Sequence, residues 1–325
     1  LSAEPGTTLL THADLEGRLL RYFLAVIREG SIRGAAETLN VAPSAVSRQI
    51  SELEHRLGLP LLNRLPRGVT PTEAGLAIAE HARQQIDDSD RLIDYLRQLH
   101  GLRLGSLRVM CGEGFISDLF DHAVRAFLET YPQVRMQVLL GTTPEILAAV
   151  AESRVDVGLA YSPPPHVGVR AVSIARQPLC ALVLPDHPYA LRASLELSEL
   201  VGDALAMAPR THGLRMLTDR VEAERGIHLV PMLETSSIDF LRRFALAGMG
   251  VVLLPAFTAL SDITAGRLVA VPLADPLLAE ASVQLLIRSQ RRMTRNLERL
   301  VLALTTGMSA FRPASAGSHR VVSST

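Results

Sequence analysis

Only two residues, Val41 and Ala42, separate a segment closed by Asn40 from one opened by Pro43. Asn tolerates the left-handed conformation that ends a helix, and Pro suits a first helical turn. Between Pro43 and Gly58, Val46, Ile50, Leu53 and Leu57 recur four, three and four apart. That is one buried stripe of a helix. Upstream, Ser31 can cap a helix over 32–40 that carries Ala35, Ala36 and Leu39 on one face. Before it, Leu19, Leu20, Phe23, Leu24 and Ile27 fall at helical spacing, and Gly30 stops that run. Three short helices with a tight link between the second and third form a helix-turn-helix unit. The extended pieces Leu61–Arg64 and Gly68–Thr70, joined around Pro66-Arg67-Gly68, read as a hairpin wing.

Charge supports a nucleic-acid partner for this unit. The 33 basic residues balance 33 acidic ones, and every basic residue is Arg. Between Arg18 and Thr70, however, eight Arg face four acids, a surplus of +4. From Pro71 to His100, three Arg face six acids, a balance of −3. A basic surplus confined to a helix-turn-helix unit fits the electrostatic footprint of DNA binding, the other reading being a solvated surface.

From Glu73 to Leu99 no Pro occurs, and no Gly after Gly75, so one long helix is expected. Ala79, Ala82, Ile86, Ser89, Ile93 and Leu96 alternate three and four apart, a heptad-like seam suited to pairing two subunits, though Ser89 interrupts it. The other reading of that face is packing against its own domain.

Beyond Gly105 strands and helices alternate. Strands are expected at 107–111, 134–140 and 155–161, with helices at 116–131 and 144–153 between them. A second set starts with a strand at 179–184 and includes a helix at 238–247 and a strand at 251–254; a late strand at 283–287 and a helix at 294–304 follow. Alternation of this kind implies parallel sheets with right-handed crossovers, here in two α/β lobes with a crevice between them.

The expected domains are a flexible tail over 1–17 and a winged helix-turn-helix over 18–72, with its helix-turn-helix at 32–51. A linker and dimerisation helix over 73–102 follows, then the two-lobed α/β domain over 103–305 and a second tail over 306–325. At 325 residues, 48% of them apolar, the chain is long enough for about two domains and at least one sizeable core. No uncharged run of 18 apolar residues occurs, so no membrane span is expected. The acidic start lacks a basic n-region, so no secretory signal is expected and the cytoplasm is the expected location. Cys111 and Cys180 cannot form a disulfide framework, and no Cys/His set has zinc spacing. Both sit in or beside apolar strands, where free Cys behaves as a small core residue.

The run from Gly30 to Ile50, GSIRGAAETLNVAPSAVSRQI, closely resembles the N-terminal signature of LysR-type transcriptional regulators. Leu53-Glu54, Leu57-Gly58, Leu62-Asn63-Arg64 and Thr70 to Gly75 continue the likeness. Asp186-His187-Pro188 and Ala247 to Pro255 look like that family's effector domain. The resemblance covers roughly 19–304. It implies an N-terminal all-α winged helix-turn-helix, a long linker helix for dimers, and a two-lobed α/β domain similar to periplasmic binding proteins.

With Val46, Ile50 and Leu53 inward, Ser44, Ser47, Arg48 and Ser51 face outward. The first three lie near the end of the helix that enters a major groove. Ser can bond to several base edges, and Ala45 can meet a thymine methyl. Arg33, Arg64 and Arg67 suit phosphate contact. Many family members carry Gln-Pro where this chain has Pro43-Ser44, so operator preference cannot be copied from relatives.

In open α/β sheets ligands bind beyond strand C-termini, where helix N-termini supply donors. Gly112, Glu113 and Gly114 follow the first strand, Gly141, Thr142 and Thr143 the second, and Tyr161 the third. Arg210, Thr211, Ser236 and Ser237 are the expected contribution of the second lobe. Family members often place a hydroxyl near 112–114 for an anionic effector; Glu113 here points instead to an amine-bearing or uncharged one.

The expectation is a sequence-specific regulator of transcription that binds a double-stranded DNA operator under control of a small-molecule effector. It would use no cofactor, form a homodimer or homotetramer, and contact RNA polymerase. The competing readings are a solute-binding protein or a crevice enzyme with an accessory DNA-binding unit. No GxSxG, P-loop, GxGxxG after a strand, or metal-ligand set supports the enzyme.

Overall fold

A computed structural model describes residues 17–66, 68–99 and 105–312. The chain forms two compact units that divide between Tyr95 and Leu96.

In the first unit, α1 (Gly17–Glu29) ends at Gly30, whose φ is +60°. Ser31 caps α2 (Ile32–Leu39), its hydroxyl accepting from the Gly34 N–H at 3.0 Å. Asn40 then closes α2 with φ 53° and ψ 50°. α3 (Pro43–Leu57) starts on Pro and ends at Gly58 in the left-handed conformation. Its buried side chains Val46, Ile50 and Leu53 meet Phe23, Val26, Ala35 and Ala36 in one core. β1 (Leu62–Leu65) and β2 (Gly68–Pro71) pair antiparallel, Leu65 opposite Gly68. Gly68 is required there: its φ is +127° and a β-carbon would stand 2.5 Å from the Gly30 carbonyl oxygen. α4 (Glu73–Leu99) follows.

In the second unit one sheet holds β3 (Gly105–Cys111), β4 (Val134–Leu140), β5 (Val157–Tyr161), β6 (Val169–Arg176) and a late strand, in the order β4-β3-β5-late strand-β6. Three consecutive helical pieces, α5 (Ile116–Leu119), a π-helical turn (Phe120–Val124) and α6 (Arg125–Thr130), run between β3 and β4. α7 (Thr143–Ala151) packs on β5, and Gly158 makes room for it. A β-carbon at Gly158 would meet Ile146 and Val150 methyls at 2.8 Å.

The other sheet holds β7 (Leu179–Val183), β8 (Leu205–Met207), β9 (Leu233–Glu234), β10 (Val251–Pro255) and β11 (Val269–Pro272), in the order β11-β7-β10-β8-β9. Its helices include α8 (Gly213–Arg225) and α9 (Ile238–Leu246). The late strand β12 (Ser282–Arg288) and the closing helix Arg295–Gly307 return to the first lobe.

One expectation needs correction. The sheets are mixed, not parallel: β12 runs antiparallel to β5 and β6, and β7 antiparallel to β10 and β11. The strand at 283–287 and the helix after it complete the first lobe, so the chain crosses between lobes twice. Pattern alone cannot show this, because a returning strand reads like any other apolar strand. The first crossing is held by Gln177, whose amide donates to the carbonyls of Ala310 and Arg312 at 2.9 Å each.

The expected tails also move. Gly17 belongs to α1, residues 306 and 307 are helical, and Ala310 is fully buried. Residues 1–16 and 313–325 of the expected tails, and Arg67 on the wing, lie outside the described residues.

Candidate functional site

On α3, Pro43, Ser44, Arg48 and Ser51 are exposed and Ala45 and Ser47 half-buried, as the inward stripe requires. Arg33 on α2 and Arg64 on β1 are also exposed. Arg33, Arg48 and Arg64 pair with no acid among the described residues. Arg28 and Arg56 pair with Glu29 and Glu52. The unit thus holds uncompensated cations on the helices and strand where phosphates would be met.

The expected dimer seam divides in two. Ala79 and Ala82 are 0% and 1% exposed, and Ala79 belongs to the core of its own unit. Ala79 is corrected from seam to core, and Ala82 is buried as well: the α4 start packs back on Leu61, where a β-carbon at Gly75 would meet the carbonyl oxygen at 2.1 Å. Farther along, Ile86, Ile93 and Leu96 are exposed, with Leu92 beside them.

In the second unit the strand ends of both lobes converge on a cleft. Gly112, Glu113, Gly114, Gly141, Thr142, Thr143 and Tyr161 line it from the first lobe. The second lobe contributes His212, Gly213, Leu214, Ile238, Pro255, Phe257 and Thr258. The Phe115 and Phe257 rings stack across the lobes, centroids 5.5 Å apart. The cavity itself is about 40 Å³, room for roughly three waters.

Several side chains there are already committed. Thr142 caps α7 in a capping box: its backbone N–H and hydroxyl both donate to Glu145 at 2.8 Å. Those bonds hold the Glu145 carboxyl below its ordinary range. The Tyr161 hydroxyl points away from the cleft and donates to the Gln177 carbonyl at 2.8 Å. Thr258 donates to the Pro255 carbonyl at 2.8 Å. Burial pushes the His212 imidazole below its usual value, while Glu113 acts in the opposite sense.

Glu113 crosses the cleft. Its carboxylate accepts from the Ser237 hydroxyl at 3.2 Å and from the Ile238 backbone N–H. It therefore sits on the N-terminus of α9, where first-turn amides lack intrahelical partners and the helix dipole favours an anion. This alters the sequence reading of Glu113: the carboxylate is paired within the chain rather than held out for an amine.

Arg210, Thr211 and Ser236 are exposed and stand off the cavity, a second correction. Arg210 faces Asp219 at 3.8 Å. Ser237 acts indirectly, through Glu113 and as the α9 cap. The residues that replace them had a readable signal in part. Pro255 ends the apolar strand expected at 251–254, and Phe257 and Thr258 follow it, so the strand-end rule applied there would have found them. His212 and Gly213 open a helix that lacks a clean apolar stripe.

The comparisons agree with this architecture. The family model described as "Bacterial regulatory helix-turn-helix protein, lysR family" matches residues 18–76. The "LysR substrate binding domain" model matches residues 100–309. The transcriptional regulator CbbR of Rhodospirillum rubrum is 30% identical over 80% of this chain and 86% of its own length. YnfL of Escherichia coli, an HTH-type transcriptional regulator, is 31% identical over 75% of this chain and 83% of its own. A variant of full-length OxyR from Pseudomonas aeruginosa shares the fold, with a TM-score of 0.64 at 21% identity over 92% of this chain and 97% of that one. A family model over most of the chain, a second over the helix-turn-helix, and relatives named as regulators rather than enzymes converge: this chain belongs to the LysR family of transcriptional regulators.

Proposed function

We propose that this regulator reads operator DNA through Pro43, Ser44, Ala45, Ser47, Arg48 and Ser51 on α3. Arg33, Arg64 and Arg67 hold the phosphates on either side. Its output is set by a small molecule seated in the cleft of the second unit. The observation that carries the reading is the convergence of both lobes' strand ends on one cleft. A ligand that touches both lobes favours one lobe arrangement, and that bias reaches the DNA only through differential affinity. The contacts proposed for the ligand are Gly112, Gly114, Thr143, His212 and Thr258, around an apolar floor of Ile146 and Leu214.

Two copies pair through Ile86, Ile93 and Leu96 of α4, so that two recognition helices meet two half-sites. Pairs associate further into tetramers and engage RNA polymerase in the cytoplasm. A metabolite screen by thermal shift on the full chain, followed by operator binding with and without each hit, tests the effector reading. Thr143→Val and Thr258→Val should each remove the response to the hit and leave operator affinity in its absence unchanged. Retention of the response in both variants would place the effector elsewhere.

A further inference from the structure

Two chambers in the second unit share a wall. The small cavity of about 40 Å³ and a wider chamber of about 400 Å³ are both lined by Glu113, Gly114, Ile238, Phe257 and Thr258. The wider one extends over Ile116, Ser117 and Ser261. The small one is far below the roughly 300–1,000 Å³ of ordinary ligand pockets. Two of those shared residues, Glu113 and Ile238, are joined by a bridge that also takes in Ser237.

That bridge has the chemistry of a bound ligand. α9 has nine residues, and Ile238 is its first, so the Ile238 N–H has no acceptor inside the helix. A carboxylate from the opposite lobe supplies one, with a second bond from the capping hydroxyl of Ser237. A charge-assisted pair of this kind is stronger than bonds between neutral groups. The lobes are thus tied by an anion that belongs to the chain itself.

We propose that Glu113 is a built-in latch: it occupies the α9 N-terminus in place of a ligand, holds the lobes together with nothing bound, and must let go before an effector can span both chambers. The proposal rests on the reading of this cleft as the effector site, yet its test needs no effector.

Hydrogen exchange at the Ile238 amide reports the latch, because no intrahelical bond protects that N–H. In the full chain without effector the amide should exchange slowly. Glu113→Ala should speed it by about ten- to a hundredfold, the range of a lost hydrogen bond to a charged group. Glu113→Gln keeps an acceptor and loses the charge, so its rate should fall between the two. Glu113→Ala also removes the CH2–CO2− group that acetate can restore, so millimolar acetate should slow the Ile238 amide in that variant and leave wild type unchanged. Chloride at the same ionic strength should do neither.

Equal exchange in wild type and Glu113→Ala would overturn the latch. So would a Glu113→Gln rate equal to wild type, or acetate acting on both proteins alike. If the alanine variant fails to fold, the glutamine comparison decides. Cleft variants that keep their effector response would sink the effector reading while leaving the exchange result standing.

Discussion

A β-carbon on Gly213 would stand 2.1 Å from the carbonyl oxygen of Tyr161 and 3.0 Å from Thr143 Oγ1. The first turn of α8 therefore rests on the ends of β5 and α7 in the opposite lobe, and only a residue without a side chain permits that approach. Gly213→Ala should wedge the lobes apart and cost about 1–3 kcal/mol, as overpacking does. Denaturant unfolding should show a lower midpoint, and small-angle scattering a more open second unit. An unchanged midpoint would mean the lobes give way there without strain.

The two thiols should be inert in the native chain. Burial pushes Cys111 up to about 12 and Cys180 up to about 11. The thiolate is the reactive form, so neither group is nucleophilic near neutral pH. An aromatic disulfide reagent should label no cysteine in the folded protein and two after denaturation. Rapid labelling of either one in the native state would show that burial does not protect it.

The helices of the first unit were legible because each end is written in local chemistry: Ser31 and Asn40 around α2, Pro43 and Gly58 around α3. The interior of α3 was legible because Val46, Ile50 and Leu53 leave one face for solvent. In the second unit the first-lobe half of the cleft followed from strands β3, β4 and β5, each ending in residues that line it. The second-lobe half did not. Arg210 and Ser236 look like ligand contacts by residue type, yet they lie on exposed turns, while His212, Ile238 and Phe257 do the lining. The bridge from Glu113 to Ile238 joins positions 125 apart, and no spacing rule connects a loop in one lobe with a helix start in the other. Ala79 fits the heptad spacing and still belongs to its own unit's core, because period alone does not say which neighbour a stripe meets.

Removing one uncompensated cation from the first unit should show in the salt dependence of DNA binding. Each lost phosphate contact releases about one counterion fewer. Arg64→Ala should weaken binding to all sequences alike and reduce the slope of log affinity against log salt by about one. Ser47→Ala should instead change preference at one or two base pairs, at roughly 1–3 kcal/mol for a lost base contact. Binding-site selection that returns the wild-type preference would rotate α3 away from the proposed orientation.

The long helix allows its two faces to be separated. Ile86 and Ile93 are 45% and 42% exposed, whereas Ala82 is 1% exposed. A charge at the exposed pair is solvated in a monomer and costly only at a subunit contact. Ile86→Asp with Ile93→Asp should therefore dissociate the protein and abolish high-affinity operator binding while the winged unit keeps its helical signal. Ala82→Asp buries an unpaired carboxylate within one unit and should lower that unit's stability whatever its association state. Sedimentation and circular dichroism together distinguish the cases. A double aspartate variant that stays dimeric would move the subunit contact off α4 and onto the second unit.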